Sequence, residues 1–288
     1  MSETQPARPK VSMNQTPPRS LRFLYHTIPG RVLLGLLTRR WVSGLAGWFM
    51  NSPLSVGRIK RFIRKNDIPM QDGEQRRYRS FNAFFARSFP PSARAVCRRP
   101  DALVSPCDAK LSAYAIDDEA VFLIKNLPYR VRGLIAEEHI ARQYNGGTIL
   151  IFRLAVEDYH RYGYFDDCVQ GPEVFIPGEL QTVQPIAFER YDVFARNCRE
   201  WCVLRTKHFG DAIQVEVGAL MVGRIRNTGG EGPHARGEEK GHFEFGGSTV
   251  ALLLSAGAAA LDTEILDNTA RGYETAVQYG ERIGQCLN

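Results

Sequence analysis

The feature that most constrains the fold is a series of short apolar segments that begins near residue 101 and runs almost to the C-terminus. Several alternate apolar and polar residues with period two, as in Ile213–Val217, and turn-forming residues separate them. This pattern is typical of strands in an antiparallel sheet. The segments are residues 102–104, 111–116, 120–124, 148–154, 201–204, 212–223 and 249–254. The sequence therefore predicts a β-rich domain over residues 101–288.

The first hundred residues differ from the rest of the chain in composition and in the arrangement of their apolar residues. Residues 1–18 are polar and rich in proline, which predicts a disordered tail. Over residues 19–100, apolar clusters alternate with arginine, and this favours amphipathic helices with breaks at Pro29 and Pro53. Residues 80–87 predict a short helix with an aromatic face. The fold class we predict is α+β, a largely antiparallel β domain preceded by amphipathic helices.

Charge is divided unevenly along the chain. Residues 1–100 contain 19 Lys and Arg against 4 Asp and Glu, whereas residues 101–288 contain 18 against 27. The helical region also carries Trp41 and Trp48 on one helical face. Such a segment can lie at an anionic membrane surface, or its helices can pack on their own domain, and the sequence leaves both open. Nucleic acid is disfavoured because no binding motif accompanies the charge.

Compartment and metal content can also be predicted. No run approaches the roughly 20 apolar residues of a membrane-spanning helix, and the polar N-terminus lacks the apolar core of a signal peptide. We therefore expect a cytoplasmic protein. The six cysteines show no metal-ligand spacing, so free thiols and no metal site are expected.

Common catalytic motifs are missing from the sequence. It has no phosphate-binding loop, no G-x-S-x-G elbow and no H-E-x-x-H. Two polar residues stand where they could act. His160 directly follows the strand predicted at 148–154 and could transfer protons, although a single histidine is more often structural. Asp108 lies in a turn, where a carboxylate commonly caps the backbone.

Gly246-Gly247-Ser248-Thr249 precedes the last long apolar run. Two glycines permit unusual backbone angles and leave a carbonyl unshielded, so that a neighbouring serine hydroxyl could attack it if a base took its proton. The product would be an ester, and β-elimination would then lead to a pyruvoyl group. A bulge or turn is the simpler interpretation of these four residues alone.

The tetrapeptide is accompanied by other motifs, and together they resemble the phosphatidylserine decarboxylase family of pyruvoyl-dependent enzymes. Gly246–Thr249 is similar to the cleavage motif of that family, and residues 236–243 are similar to the segment before it. Asp158-Tyr159-His160-Arg161 matches the family's Asp-Tyr-His-Arg signature, and residues 78–87 and 105–108 also match. The resemblance extends from about residue 21 to residue 284.

The resemblance implies a self-cleaving proenzyme. Ser248 would attack the Gly247 carbonyl, giving a β subunit of residues 1–247 and an α subunit of residues 248–288 that remain together as a heterodimer. Ser248 would become an N-terminal pyruvoyl group, the covalent cofactor, which forms a Schiff base with the amine of phosphatidylserine. Loss of CO₂ would give phosphatidylethanolamine. Asp108 would orient His160, and His160 would deprotonate Ser248.

One position departs from the family pattern. Many members carry a second histidine three residues after the first, and in them it serves self-cleavage. Here that position is Gly163. We therefore assign both the self-cleavage and the decarboxylation roles to His160. His242, six residues before Ser248, is a possible alternative base if a period-two strand places both on one face.

The resemblance also suggests partners and alternatives. Phosphatidylserine in an anionic membrane would be the substrate, which predicts a peripheral enzyme on the cytoplasmic face of the cell membrane, and a homo-oligomer is possible. One alternative is a pyruvoyl-dependent decarboxylase of a soluble amino acid. Another is an uncleaved, inactive homologue that binds lipid.

Overall fold

The structure is a computed structural model. It describes residues 7–13, 16–38, 40–68, 70, 77–124, 127–182, 186, 192–219, 224–246 and 248–287, without the side chains of residues 40, 41, 43 and 91. The side chain of Trp41 and the predicted cleavage bond, which includes Gly247, thus lie outside the described residues.

Nine α-helices lie in these ranges, most of them in the first third of the chain. They are α1 Arg19–His26, α2 Ile28–Leu37, α3 Arg40–Asn51, α4 Ile59–Asn66, α5 Phe81–Phe85, α6 Val131–Ile135, α7 Glu138–Ala141, α8 Val193–Arg196 and α9 Thr263–Ala270. Helix α2 begins after Thr27, whose hydroxyl accepts a hydrogen bond from Gly30 N at 3.0 Å, and α3 ends just before Pro53.

The described residues contain eighteen strands, and each predicted apolar segment coincides at least in part with one of them. They are β1 Lys10–Ser12, β2 Ala102–Val104, β3 Ala109–Ala115, β4 Val121–Ile124, β5 Leu127–Arg130, β6 Thr148–Leu154, β7 Arg161–Gly163, β8 Cys168–Gln170, β9 Val174–Ile176, β10 Arg199–Thr206, β11 Asp211–Gly218, β12 Ile225–Asn227, β13 Gly232–His234, β14 Glu239–Phe243, β15 Ser248–Leu254, β16 Ala259–Leu261, β17 Tyr273–Val277 and β18 Arg282–Cys286. Every pairing between these strands is antiparallel. The predicted α+β class is confirmed.

Ten strands form a central sheet in the order β1-β17-β3-β6-β15-β11-β10-β8-β13, with β9 on the edge of β10. Its middle strand, β15, pairs on one side with β6 and on the other with β11. Two smaller sheets, β12-β14-β7 and β16-β18-β2, and the hairpin β4-β5 complete the β structure.

Both faces of the central sheet are covered. Along β15, Val250, Leu252 and Leu254 pack into one hydrophobic cluster, while Ala251 and Leu253 pack into another. All seven residues of the strand are at most 1% exposed. Burial on both faces explains why this segment is a continuous apolar run. A strand with one solvent-exposed face alternates apolar and polar residues instead.

The first two helices are amphipathic, as predicted. Tyr25 and Leu34 are buried against the β domain, and the Tyr25 hydroxyl donates a hydrogen bond to Gln181 Oε1 at 2.9 Å. Ile28 and Val32, on the outer face, are 72% and 67% exposed. Packing on the domain thus occupies one face and leaves the other free. None of the described helices is long and apolar enough to cross a bilayer.

Helices α3, α4 and α5 surround a further cluster, which is largely aromatic. It contains Phe62, Phe81, Phe84, Phe85 and, from the segment just before Ser248, Phe245. Ser80 caps α5 by accepting a hydrogen bond from Ala83 N at 3.1 Å. This cluster is where the helical region contacts the chain near the glycine pair.

The predicted disordered tail differs from the structure at Lys10–Ser12. This segment is an edge strand of the central sheet, paired with Tyr273–Thr275. Before it, Arg8 forms an ion pair with Asp262 at 2.9 Å. Backbone hydrogen bonds and ion pairs hold this segment in place. Neither requires apolar residues, so the sequence shows no apolar pattern from which an ordered strand could be predicted.

Candidate active site

Ser248 is the first residue of β15 and is fully buried. It is paired with Leu154 at the end of β6 and with Gly218 at the end of β11. Its hydroxyl has no hydrogen-bond partner in the described part of the chain. Gly246, two residues earlier, has φ of +146°, a conformation that favours glycine. A buried hydroxyl without a partner is costly and unusual, so it marks a site where chemistry or a ligand is expected.

His160 is the second fully buried polar residue of the site. Its Nδ1 lies 2.9 Å from the carbonyl oxygen of Asp158, and its Nε2 has no partner among the described residues. Burial lowers the pKa of His160 from 6.5 to about 3, so the ring is neutral near pH 7. Since a carbonyl only accepts, Nδ1 carries the proton and Nε2 has a free lone pair. Nε2 can therefore act as a base.

The loop between β6 and His160 is fixed by charged side chains. Asp158 accepts hydrogen bonds from Lys110 Nζ at 2.7 Å and from Ala155 N at 2.8 Å. Arg161 donates to the carbonyl oxygen of Ala86 at 2.8 Å, at the end of α5. The Asp-Tyr-His-Arg motif thus places the imidazole between a strand end and a helix end.

Aromatic packing completes the environment of the imidazole. The His160 ring lies 3.9 Å from the Phe85 ring, centroid to centroid, and Phe85 in turn contacts Phe245. Asn82 Oδ1 accepts a hydrogen bond from Phe245 N at 2.8 Å. The backbone oxygen of His160 accepts from Phe243 N at 2.9 Å. These contacts bring the histidine loop beside the segment that leads to Ser248.

His160 and Ser248 are therefore placed at the same end of the sheet. Ser248 is paired with the last residue of β6, and His160 follows that strand by six residues. No hydrogen bond between described residues joins the two side chains. Both groups are buried and without a hydrogen-bond partner among the described residues, and they are complementary: the Ser248 hydroxyl can donate a hydrogen bond, and the His160 Nε2 lone pair can accept one.

Asp108 does not hydrogen-bond to His160 in the described structure. Its carboxylate binds the Arg94 guanidinium, with Nη2 to Oδ2 at 2.7 Å, and accepts from Tyr279 N at 2.8 Å. The carbonyl of Asp158 occupies the Nδ1 position where an orienting carboxylate would act. Asp108 instead lines a cavity of about 540 Å³ that Asp158 also lines.

His242 is half-buried on β14, opposite Arg161 and Arg226. Burial, followed by the charge of Arg161, lowers its pKa. The structure does not place it on one strand with Ser248, because β14 ends at Phe243 and lies in a different sheet from β15. The shared strand from which His242 was considered is therefore absent, but its Nδ1 is also buried without a partner among the described residues, so its role as an alternative base stays a prediction.

Comparison with known proteins identifies the family. The family model described as phosphatidylserine decarboxylase matches residues 81–285, which include Asp108, His160 and Ser248. This chain belongs to the phosphatidylserine decarboxylase family. The resemblance found in the motifs is confirmed.

Relatives in this family match nearly the whole chain. Phosphatidylserine decarboxylase proenzyme 2 of Clostridium acetobutylicum is 43% identical over 266 residues, which are 92% of this chain and 91% of that protein. The phosphatidylserine decarboxylase proenzyme of Ruminiclostridium cellulolyticum is 40% identical over 278 residues, 94% of this chain and 92% of that one. The phosphatidylserine decarboxylase proenzyme of Desulfitobacterium hafniense strain Y51 is 38% identical over 272 residues, which are 92% of this chain and 91% of that protein.

At Gly163, where the family pattern predicts a second histidine, the structure explains why no side chain fits. A Cβ on Gly163 would lie 2.1 Å from Tyr279 Oη and 2.4 Å from the carbonyl oxygen of Glu238. Tyr279 Oη donates to the Gly237 carbonyl at 3.1 Å. The tyrosine therefore fills the space beside the backbone of β7, which excludes histidine at position 163.

Sequence reasoning missed three residues of this candidate site. They are Tyr279, which fills the space at Gly163, Arg94, which binds Asp108, and Asp158, whose backbone carbonyl fixes the His160 tautomer. Tyr279 is 116 positions from Gly163, so no local pattern could join them. Asp158 belongs to a recognised motif, but its contact with His160 is made by a backbone carbonyl. Since every residue has that group, the residue type at position 158 could not predict the contact.

Proposed function

We propose that this chain is a proenzyme that cleaves itself between Gly247 and Ser248 and then converts phosphatidylserine to phosphatidylethanolamine and CO₂. One observation carries the proposal. Ser248 Oγ and His160 Nε2 are both fully buried and both without a partner in the described structure, at the same end of the sheet. Family membership supplies the reaction to which such a pair belongs.

In self-cleavage, His160 Nε2 takes the proton of the Ser248 hydroxyl. The hydroxyl oxygen then bonds to the Gly247 carbonyl carbon, the bond from that carbon to the Ser248 nitrogen breaks, and His160 returns the proton to that nitrogen, which turns the amide into an ester and a free amine. Loss of the Ser248 α-proton and cleavage of its Cβ–Oγ bond release the Gly247 carboxylate. Hydrolysis of the resulting dehydroalanine releases ammonia and leaves the pyruvoyl group.

The residues around Ser248 suit a small, uncharged group of this kind. The position is fully buried and its hydroxyl is not tied to another group, so conversion of the side chain breaks no hydrogen bond in the described structure. The pyruvoyl group would supply an electron-accepting carbonyl for the electron pair left when CO₂ departs.

We assign decarboxylation to His160 as well, because its Nε2 is buried and without a partner among the described residues, beside the segment that leads to Ser248. Its Nε2 can hold a proton and return it to the carbon that has lost CO₂. The Asp158 carbonyl keeps Nδ1 protonated throughout, so only Nε2 exchanges protons. Phe85 keeps water from the ring face.

Asp108 contributes by joining the two fragments rather than by orienting His160. It belongs to the large fragment and accepts a hydrogen bond from Tyr279 N, which belongs to the small one. Strand β15 of the small fragment lies between β6 and β11 of the large one, and β17 lies between β1 and β3. We therefore expect residues 248–288 to stay bound as one subunit of a heterodimer after cleavage.

The outer face of the N-terminal helices is proposed to contact the lipid surface. Exposed apolar side chains are concentrated there, including Trp48 at 74% and Leu54 at 79% exposure. Acidic residues are absent between Glu3 and Asp67, so the surrounding charge is positive. Apolar insertion combined with basic residues is typical of peripheral binding to anionic membranes. The cytoplasmic face of the cell membrane is the expected location.

The reaction is tested by measuring CO₂ release from vesicles that contain carboxyl-labelled phosphatidylserine, with free labelled serine as the comparison. Release from the vesicles, abolished by Ser248→Ala, is expected. Release from free serine alone would instead assign a soluble amino acid as the substrate. Vesicle binding with neither cleavage nor CO₂ release would contradict the proposed activity.

A further inference from the structure

The cavity beside His160 is lined by both charges and aromatic rings. It has a volume of about 540 Å³, and the lining residues that matter here are Arg87, Arg94, Asp108, Lys110, Asp158 and Tyr159. Asp158 and Tyr159 immediately precede His160 in the chain. The cavity wall is thus continuous with the loop that carries the buried imidazole.

Four cationic side chains line this cavity, and three of them are paired with carboxylates. The pairs are Arg8 with Asp262 at 2.9 Å, Arg94 with Asp108 at 2.7 Å and Lys110 with Asp158 at 2.7 Å. The fourth cation is Arg87. Within the described structure it has no carboxylate partner.

Arg87 is poorly satisfied for a buried guanidinium. It is only 5% exposed, its Nε is buried with no partner among the described residues, and Nη1 reaches the Phe84 carbonyl only at 3.5 Å. Its guanidinium carbon lies 5.0 Å from the Phe84 ring centroid and 5.2 Å from that of Phe89. Cation–π contacts recover part of the desolvation cost of a buried charge but supply no hydrogen-bond acceptor.

A second cation makes this arrangement more costly. Arg94 lies over the same Phe89 ring, 5.0 Å from its centroid, and its carboxylate partner Asp108 is already fully engaged. Two guanidinium groups therefore share one ring with one carboxylate between them. A buried charge in such surroundings requires a counter-ion. Burial is the main cause that lowers the pKa of His160, and the nearby charge of Arg87 lowers it further.

We propose that Arg87 binds the phosphodiester of the substrate headgroup and is a specificity-determining residue of this enzyme; the assignment rests on the proposed function. A planar guanidinium with free donors matches two oxygens of a phosphodiester. The substrate carboxylate is the poorer occupant, because its charge leaves during decarboxylation and a cation bound to it would stabilise the ground state.

Kinetics on dispersed short-chain phosphatidylserine test the assignment. Arg87→Gln is expected to raise KM at least tenfold and to change kcat less than about threefold, since charged hydrogen bonds contribute to binding at this level. The KM of Arg87→Lys should lie between those of the wild type and Arg87→Gln, because lysine keeps the charge but lacks the planar pair of donors. Arg130→Gln, at an exposed arginine of the β4-β5 hairpin, is the matched control and should leave KM unchanged. An unchanged KM in Arg87→Gln overturns the proposal.

Competitive inhibition shows whether Arg87 binds the phosphodiester or the carboxylate of the substrate. Dimethyl phosphate represents the phosphodiester, propionate represents the carboxylate, and neither has an amine that could react with the pyruvoyl group. The inhibition constant of dimethyl phosphate should weaken at least tenfold in Arg87→Gln, while that of propionate should not. The reverse pattern, or equal constants in both proteins, contradicts the assignment.

A binding measurement on the wild-type protein needs neither activity nor a folded Arg87→Gln. The buried Arg87 Nε–H should give an NMR resonance, identified by its loss in Arg87→Lys, that shifts on titration with dimethyl phosphate. Absence of a shift at saturating concentration overturns the proposal. Because this readout is independent of CO₂ release, failure of the inference is distinguishable from failure of the proposed reaction.

Discussion

The carbonyl oxygen of Asp158 lies 2.9 Å from Nδ1 of His160, and this contact decides which ring nitrogen can act as a base. It fixes the proton on Nδ1 and leaves the lone pair on Nε2. Burial against Phe85 keeps the ring neutral. In the proposed mechanism the base is thus oriented by a backbone carbonyl, and the Asp108 carboxylate binds Arg94 and Tyr279 N instead.

The buried neutral state of His160 predicts how stability depends on pH. Its pKa is about 3 in the folded chain and near 6.5 when unfolded, so below pH 6.5 the unfolded state binds a proton that the folded state does not. Stability should fall as pH falls towards 3, by about 1.4 kcal/mol per pH unit from this group. Urea unfolding of Ser248→Ala, with and without His160→Gln, measures the contribution.

The slope between pH 6 and pH 4 should become shallower when His160 is replaced. His139→Gln, at a side chain that is 74% exposed, is the control. Equal slopes for Ser248→Ala with and without His160→Gln would show that His160 titrates normally and is not buried as described.

A double-mutant cycle tests the role of Asp108. If Arg94 holds the Asp108 carboxylate in place against Tyr279 N, then Asp108→Asn and Arg94→Met should lower kcat/KM to similar degrees, and the double variant should be little worse than either. The expected coupling is about 1–3 kcal/mol, as for a charged hydrogen-bonded pair. If Asp108→Asn cost far more activity than Arg94→Met, direct orientation of His160 would be the better explanation.

Substitution of Gly163 should destabilise the protein rather than add a catalytic group. A Cβ there overlaps both Tyr279 Oη and a backbone oxygen, so Gly163→Ala should lower the free energy of unfolding by about 1–3 kcal/mol. Thermal or urea unfolding measures this. Gly35→Ala is the control, since no atom lies within 4 Å of its added Cβ and alanine favours the helix. A Gly163→Ala protein as stable as wild type would show that the region repacks freely.

Membrane binding should depend on the exposed apolar side chains of the N-terminal region. Trp48→Ala should weaken binding to anionic vesicles about tenfold, since it removes part of the energy of burying a large side chain. Leu123→Ala is the control, because Leu123 is 54% exposed but lies on the β4-β5 hairpin. Flotation with vesicles gives both values. Equal losses in the two variants would place the lipid contact elsewhere.

The sequence predicted the parts of this molecule that depend on local pattern. The run at 249–254 is a strand because its side chains are buried on both faces, and residues 80–87 contain a helix because Ser80 caps an apolar turn. Ser248 and His160 were found because short motifs surround them. In each case the information lies within a few positions of the residue concerned.

The parts that the sequence did not reveal depend on contacts between distant segments. Tyr279 fills the space at Gly163 from the other end of the chain, and Arg8 orders a polar tail by binding Asp262. The pairing of Asp108 with Arg94 could not be told from a pairing with His160, because both are charge-compatible. A three-dimensional structure was needed to choose.

The central claim is that Ser248 cleaves the chain at its own N-terminal side, and intact-mass measurement of the purified protein tests it most directly. The account predicts two fragments for the wild type, residues 1–247 and 248–288, with the smaller one blocked at its N-terminus. Ser248→Ala should give a single chain of full length and of similar stability, because the lost hydroxyl makes no hydrogen bond in the described structure. Cleavage of Ser248→Ala at the same bond, or an active wild-type protein of undivided mass, would contradict the account.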